Sequence, residues 1–229
     1  MRPDDIPEIR KLDLFRDMLE DSFEALVRGA YVQSFPPQVD LITEGDKADF
    51  LHVVVSGGVE LVAGWNGRET SMTTVRPIST FILAATIKDA PYLMSARTIE
   101  KSRIIMLPSA NVREVFDNDN NFARSVVTEL AGCYRSVVKN TKNLKLRTSL
   151  ERLANYVLRC HVREKGALDF ELRTEKRRLA SYLGMTPENL SRAIKALRPY
   201  GVEINATRVH INNLSELKLL AKPSPLIDE

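Results

Sequence analysis

The residues best equipped for chemistry lie in one short run, Thr186-Pro187-Glu188-Asn189-Leu190-Ser191-Arg192-Ala193-Ile194-Lys195. At helical periodicity Glu188, Ser191, Arg192 and Lys195 share one face, while Leu190, Ile194 and Leu197 share the opposite one. A guanidinium such as that of Arg192 presents two donors that match the O6 and N7 acceptors of guanine, and a carboxylate such as Glu188 accepts from the amino group of cytosine. Ser191 is a short, adaptable contact, and Lys195 has the reach for a phosphate. Thr186 and Asn189, at the start of the same helix, belong to this candidate set. So do Arg177 and Arg178 just upstream, which with Lys176 are better placed for backbone charge than for bases.

A charged helix face is commonly no more than a solvated face, so the elements around it matter. "EKRRLASYLGMTPENLSRAIKALRPYGVEI" reads as two short helices joined by Gly-Met-Thr. Ala180 is small where two helices must approach, and Gly184 suits a tight turn between them. Thr186 is a good N-cap, and Pro187 fits the first helical position. "VEINATRVHINN" then reads as a closing β-hairpin with Asn205–Arg208 at its tip. From Lys145 to His210 there are 14 Lys/Arg against 7 Asp/Glu, whereas the rest of the chain holds 19 against 23. A capped helix following a tight turn, inside the most basic third of the chain, is the arrangement of a helix-turn-helix, whose second helix enters the major groove of double-stranded DNA.

Upstream, "LFRDMLEDSFEALVRGA" places Leu14, Met18, Leu19, Phe23, Leu26 and Val27 at helical spacing. The period then changes. "LITEGDKADFLHVVVSGGVELVAGWNGRETSMTTV" is a series of short β-branched runs broken by turn signals, and "STFIL", "LMSARTI" and "SRIIMLP" extend it. Six or more short strands before any long helix predict a small antiparallel barrel or jelly roll. From about Ser109 to Lys145 the pattern is helical, with an interruption near "DNDNN". Phe122, Val126, Leu130, Cys133, Val137, Thr141 and Leu144 form a narrow seam on it, the pattern of a helix that pairs with a second copy of itself, the alternative being a helix packed on its own domain. The expected class is α+β in three parts: a β jelly roll with N-terminal helices over 1–108, a dimerisation helix over 109–146, and a winged helix-turn-helix over 147–229.

Other classes find little support. No run approaches the roughly 20 apolar residues needed to span a bilayer, and the opening residues carry acids and prolines where a signal peptide needs an apolar run, so a cytoplasmic protein without membrane contact is expected. Two cysteines, Cys133 and Cys160, fall short of a disulfide framework and of the four thiolates of an iron–sulfur cluster. Three scattered histidines do not make the clustered ligand set of a cupin-like metalloenzyme, and no enzyme activity is expected. His52, in a strand-like run, is the one candidate haem or metal ligand of the β region.

"RRLASYLGMTPENLSRAIKAL" resembles the winged helix-turn-helix of the Crp/Fnr family of bacterial transcription regulators, and "GDKADFLHVVVSGGVEL" extends the resemblance to the β domain. That resemblance implies a cyclic-nucleotide-binding-like sensor barrel, a homodimer and, for an activator, RNA polymerase as a partner. Glu188, Ser191 and Arg192 match the E-x-x-S-R pattern of the Fnr-type branch, which implies palindromes of TTGA-like half-sites. Cyclic-AMP-binding relatives carry a Gly-Glu pair and an arginine that hold ribose and phosphate. Anchored on Ser95–Arg97, these positions fall on Leu83, Ala84 and Met94, which lack that chemistry, so cyclic AMP is not expected. The N-terminal cysteines of the iron–sulfur branch are absent as well. "FILAATIKDAPYLMSAR" resembles the Nnr-type branch, which implies a response to nitric oxide through haem and control of denitrification genes. The expected effector pocket is apolar: Phe81, Ile82, Leu83, Tyr92 and Met94.

Overall fold

The computed structural model describes residues 9–172 and 174–228; the opening residues read against a signal peptide lie, up to Glu8, outside them. The chain divides into two compact units, Met1–Cys133 and Tyr134–Glu229.

The first unit includes α1 (Asp13–Arg16) and α2 (Glu20–Arg28), in the stretch where the sequence predicts N-terminal helices. Leu14, Met18, Phe23 and Leu26 are buried as the periodicity requires, while Leu19 sits at the break between the two helices and is exposed. Eight strands follow: β1 (Tyr31–Phe35), β2 (Asp40–Ile42), β3 (Phe50–Ser56), β4 (Val59–Trp65), β5 (Arg68–Val75), β6 (Ser79–Phe81), then β7 (Ser95–Thr98) and β8 (Ser102–Pro108), with α3 (Leu83–Lys88) between β6 and β7. They form two antiparallel four-stranded sheets, ordered β1-β8-β3-β6 and β2-β7-β4-β5.

The alternation of side chains along β3 and β8 explains how one sheet serves two cores. Leu51, Val53, Ile105 and Leu107 face the helices, packing with Phe15, Phe23, Leu26, Phe122 and Val126. Val54 and Ile104 face the other way, into the β interior with Ile42, Val59, Leu61, Phe81, Tyr92 and Ala96. Burial on both faces is why these strands read as continuous apolar runs.

"STFIL" is not one strand. β6 ends at Phe81, Ile82 takes a left-handed conformation (φ 61°), and α3 starts at Leu83. A β-branched residue in that region is strained, which marks an abrupt change of chain direction rather than a propensity readable from composition.

After β8, α4 (Ser109–Asn118) and α5 (Asn120–Leu146) are separated only by Asp119. The Asp119 carboxylate accepts from the N–H groups of Asn121 (2.9 Å) and Phe122 (3.1 Å), capping α5, and from that of Leu19 (2.8 Å), tying the N-terminal helices to it. Burial works to raise its pKa, and the donors on Phe122, Leu19 and Asn121 outweigh that and hold it below the usual carboxylate range.

The division between units falls within α5. The second unit continues with α6 (Ser149–Arg163), β9 (Asp169–Glu171), α7 (Lys176–Tyr182), α8 (Pro187–Ala196), β10 (Val202–Asn205), β11 (Arg208–Ile211), α9 (Leu214–Ala221) and α10 (Pro225–Asp228). Its core gathers Leu153, Val157, Leu179, Leu183, Leu190, Leu197, Val202 and Val209. The hairpin β10–β11 pairs Asn205 with Arg208 across a two-residue tip, and β9 adds to β11 as a third strand. Among the described residues no helix is long and apolar enough to cross a membrane.

The predicted seam on α5 is corrected in part. Phe122 and Val126 are fully buried and Leu130 partly so, all three packed in the first unit's own core. Cys133, Val137 and Thr141 are exposed. A single helical stripe thus does two jobs: its first turns close a core, and its later turns face outward.

Candidate nucleic-acid interface

The recognition motif is built from α7, a turn and α8. Leu179 and Ala180 of α7 and Leu190 and Ala193 of α8 are buried against each other and against α6, so the backbones approach closely. Gly184 closes α7 at φ +62°, its N–H donating to the Ser181 carbonyl (2.9 Å). Space as well as φ demands glycine here, because a Cβ would lie 2.6 Å from Leu144 Cδ2. Leu144, predicted for a dimer seam, lies against the turn of the motif and is still 39% exposed.

Thr186 is the N-cap of α8: its hydroxyl accepts from the Asn189 N–H (3.2 Å), with Pro187 next in the first helical position. The side chains of Glu188, Asn189, Ser191, Arg192 and Lys195 are all exposed, while Leu190 and Ala193 anchor the opposite face. The Ser191 hydroxyl donates to the Pro187 carbonyl (2.9 Å), which leaves its lone pairs free to accept. Hydrogen bonds from the Glu188 N–H and the Thr186 hydroxyl hold the Glu188 carboxyl below its usual range, so it is ionised and an acceptor at neutral pH.

On α7, Arg177 is exposed, whereas Arg178 is half-buried and engaged within the chain. On the three-stranded sheet, His210 Nδ1 lies 2.6 Å from Asp169 Oδ1, and that hydrogen bond raises the imidazole pKa.

Sequence reasoning missed Arg152, which read as one more positive charge in a basic region. Its side chain is buried, and Nε donates to the Leu183 carbonyl (2.8 Å). Nη1 donates to the carbonyls of Arg147 (2.8 Å) and Leu144 (3.2 Å), and Nη2 to that of Gly184 (3.3 Å). One guanidinium therefore satisfies the carbonyls at the end of α5 and at the turn of the motif. The capping box before it was a readable signal: Thr148 accepts from the Glu151 N–H, and Glu151 accepts from the Thr148 N–H.

The predicted effector pocket does not form a single lining. Phe81 and Tyr92 are buried in the β interior, with Ile82 and Met94 packed against them, whereas Leu83 belongs to the helix-side core. The Tyr92 hydroxyl donates to the Phe50 carbonyl (3.0 Å). His52 stacks on Phe81 (centroids 5.1 Å apart) and meets Phe50 edge-on. Its Nδ1 is buried with no partner, and burial lowers its pKa to about 4 against a smaller raising effect of the Phe50 backbone. With the ring enclosed by aromatic packing, His52 as it stands does not fit a haem-ligand role. Among the described residues no three His, Cys, Asp or Glu side chains converge in a group that could hold a metal ion.

Comparison with known proteins agrees with this geometry. Residues 32–119 match the cyclic nucleotide-binding domain, and residues 151–220 match the Crp-like helix-turn-helix domain. A CRP-like cAMP-activated global transcriptional regulator of Mycobacterium tuberculosis is 22% identical over 191 residues, covering 81% of this chain and 85% of the relative. Potassium channel KAT1 of Oryza sativa subsp. japonica is 24% identical over 144 residues, or 63% of this chain, and the match spans only 19% of the channel. Among solved structures, a proposed cAMP-binding regulatory protein from Silicibacter pomeroyi DSS-3 is 26% identical with a TM-score of 0.57, covering 95% of this chain and 98% of that one.

Proposed function

We propose that this chain, which belongs to the Crp/Fnr family of DNA-binding transcription regulators, acts as a homodimer that reads a palindrome of TTGA-like half-sites through Glu188, Ser191 and Arg192. The observation that carries the reading is the exposed polar row on α8, held by a capped N-terminus and a buried opposite face. Palindromy follows from two-fold symmetry, with half-sites one helical turn apart, about 34 Å. For the dimer, the support is the outward face of α5, where Tyr134 and Val137 are largely exposed apolar side chains. RNA polymerase would be the further partner of an activator.

The effector is other than cyclic AMP. At the positions where cyclic-AMP-binding relatives hold ribose and phosphate, Ala84 is an exposed methyl and Met94 packs against the apolar interior. Neither can pair a phosphodiester, whose burial without a counter-charge is strongly disfavoured. The match to the cyclic nucleotide-binding domain is on this reading a match of fold. Nitric oxide, with control of nitrogen-oxide and denitrification genes, is the effector the Nnr-type likeness favours, and the apolar surroundings of Phe81 and Met94 are consistent with a small uncharged ligand. His52 is not a haem ligand on this reading, because its ring is already enclosed between Phe50 and Phe81.

A second reading, a constitutive DNA binder whose β domain is only a dimerisation scaffold, is favoured by one observation: Phe81 and Tyr92 fill the β interior themselves. Fluorescence anisotropy on a TTGA-palindrome duplex separates these readings. Specific binding that tightens with nitric oxide and ignores cyclic AMP supports the sensor. Specific binding equal under all conditions supports the constitutive form. Binding no tighter than to scrambled DNA overturns the assigned specificity.

A further inference from the structure

We propose that α10 is a strap that sets the angle between the end of α5 and the DNA-reading motif, with Asp228 and Arg147 as its positioning residues; this rests on the DNA-reading function above. Arg147 is the residue that follows α5 and precedes the cap of α6, so it occupies the hinge. Its side chain is only 7% exposed, and that of Asp228 11%. They meet in a two-point fork, Nη1 to Oδ1 at 2.7 Å and Nη2 to Oδ2 at 2.6 Å.

The fork is tied on every side. Arg159 of α6 reaches Asp228 Oδ1 at 3.3 Å, and the Ser224 N–H donates to Oδ2 at 2.8 Å. Arg147 Nη1 also donates to Asn143 Oδ1 on the last turns of α5 (3.1 Å). A second tether lies one turn back, where Lys142 Nζ donates to the Leu226 carbonyl (3.4 Å). One carboxylate on α10 thus binds the hinge residue and α6 at once, while α10's backbone holds α5. Burial works to raise the Asp228 pKa, and Arg147 with the Ser224 N–H more than offsets it, so the anion persists well into acid.

A bidentate Arg–carboxylate fork has directional geometry that a point charge lacks. Leu226 is 70% exposed, so its own burial adds little to the hold on this segment. The ion pair therefore decides whether the segment stays docked. Docked, it keeps α5 and α6 at one angle; released, it leaves the hinge to weaker ties, such as the Arg152 carbonyl contacts and the Arg147–Asn143 hydrogen bond. In a symmetric dimer that angle sets the separation of the two recognition helices, and hence the preferred half-site spacing.

Two measurements test the strap on Asp228→Asn, Asp228→Glu and the unaltered protein. In hydrogen–deuterium exchange, Asp228→Asn is expected to speed amide exchange at residues 143–150 and 224–228 by tenfold or more, with α8 unchanged. This readout is independent of DNA. In DNA binding, the unaltered protein is expected to discriminate by tenfold or more against a palindrome whose spacer is changed by one base pair. Asp228→Asn should bind both spacings within about threefold, and Asp228→Glu should restore both behaviours in part. Unaltered exchange at the hinge, or full spacing discrimination retained in Asp228→Asn, overturns the strap. If the unaltered protein shows no palindrome preference, the DNA-reading assignment fails, and the exchange result alone decides whether the strap exists.

Discussion

At the residue scale, two exposed arginines and one buried histidine make separable predictions. Arg192 is exposed on a fixed helix, so Arg192→Ala should leave the fold intact and cost roughly 1–3 kcal/mol at its own base pair, with specificity relaxed there. Arg177→Ala, by contrast, should weaken all sequences alike and reduce the slope of log K against log salt by about 1. Anisotropy titrations at several salt concentrations distinguish the two. His52 predicts a pH dependence of stability. Its folded pKa of about 4 lies below the ordinary 6.5, so the unfolded chain binds the proton first as pH falls. Its contribution is complete above about pH 6.5 and is lost between there and about pH 4, on the order of 3 kcal/mol over the window. Urea unfolding of His52→Phe across that range should be flatter than that of the unaltered protein by this amount. An identical slope would mean that the imidazole is not held neutral in the fold.

At the element scale, the turn between α7 and α8 is tied to the end of α5 by Gly184, Leu144 and Arg152. Gly184→Ala places a methyl in left-handed backbone, worth about 1–2 kcal/mol, and forces Leu144 to move. Arg152→Met keeps the bulk and leaves buried carbonyls at Leu183 and Arg147 without their donor, at about 1–3 kcal/mol. Both should lower the denaturant midpoint of the second unit without changing the slope. Much of this element could be read in advance. The Thr186 cap, the Pro187 position and the Leu190 face follow from spacing within a few residues, because a helix N-terminus is a local event. Arg152 could not be read so, since two of its acceptors, Leu183 and Gly184, lie 31 and 32 positions away in sequence and its charge looks identical to that of any surface arginine. The break at Ile82 escaped for a related reason: apolar composition does not distinguish a strand from a short helix when packing, not propensity, sets the dihedral.

At the scale of the whole molecule, the outward face of α5 sets the expectation for assembly. Tyr134 is 70% and Val137 62% exposed, large apolar side chains beside each other on one helix. Val137→Glu should weaken self-association by tenfold or more, about 1.4 kcal/mol, in sedimentation velocity. Binding to a palindrome should fall with it, while binding to a single half-site persists. The same substitution at Val126 should instead unfold the first unit, because that side chain is fully buried in its own core.

By itself, the sequence determined what depends on neighbours along the chain. Turn signals and β-branched runs marked the jelly roll, caps and apolar spacing marked the helix-turn-helix, and charge marked the basic reading region. The tertiary structure alone decided which apolar residues of the α5 stripe close a core and which face outward, that Leu83 leaves the predicted pocket for the helix-side core, and that Arg147 and Asp228, 81 positions apart, form a buried fork. The physical reason is the same in each case. Periodicity records that a side chain is apolar or charged on a given face, but its partner is chosen by chain segments distant in sequence, and only folding brings them within a few ångströms.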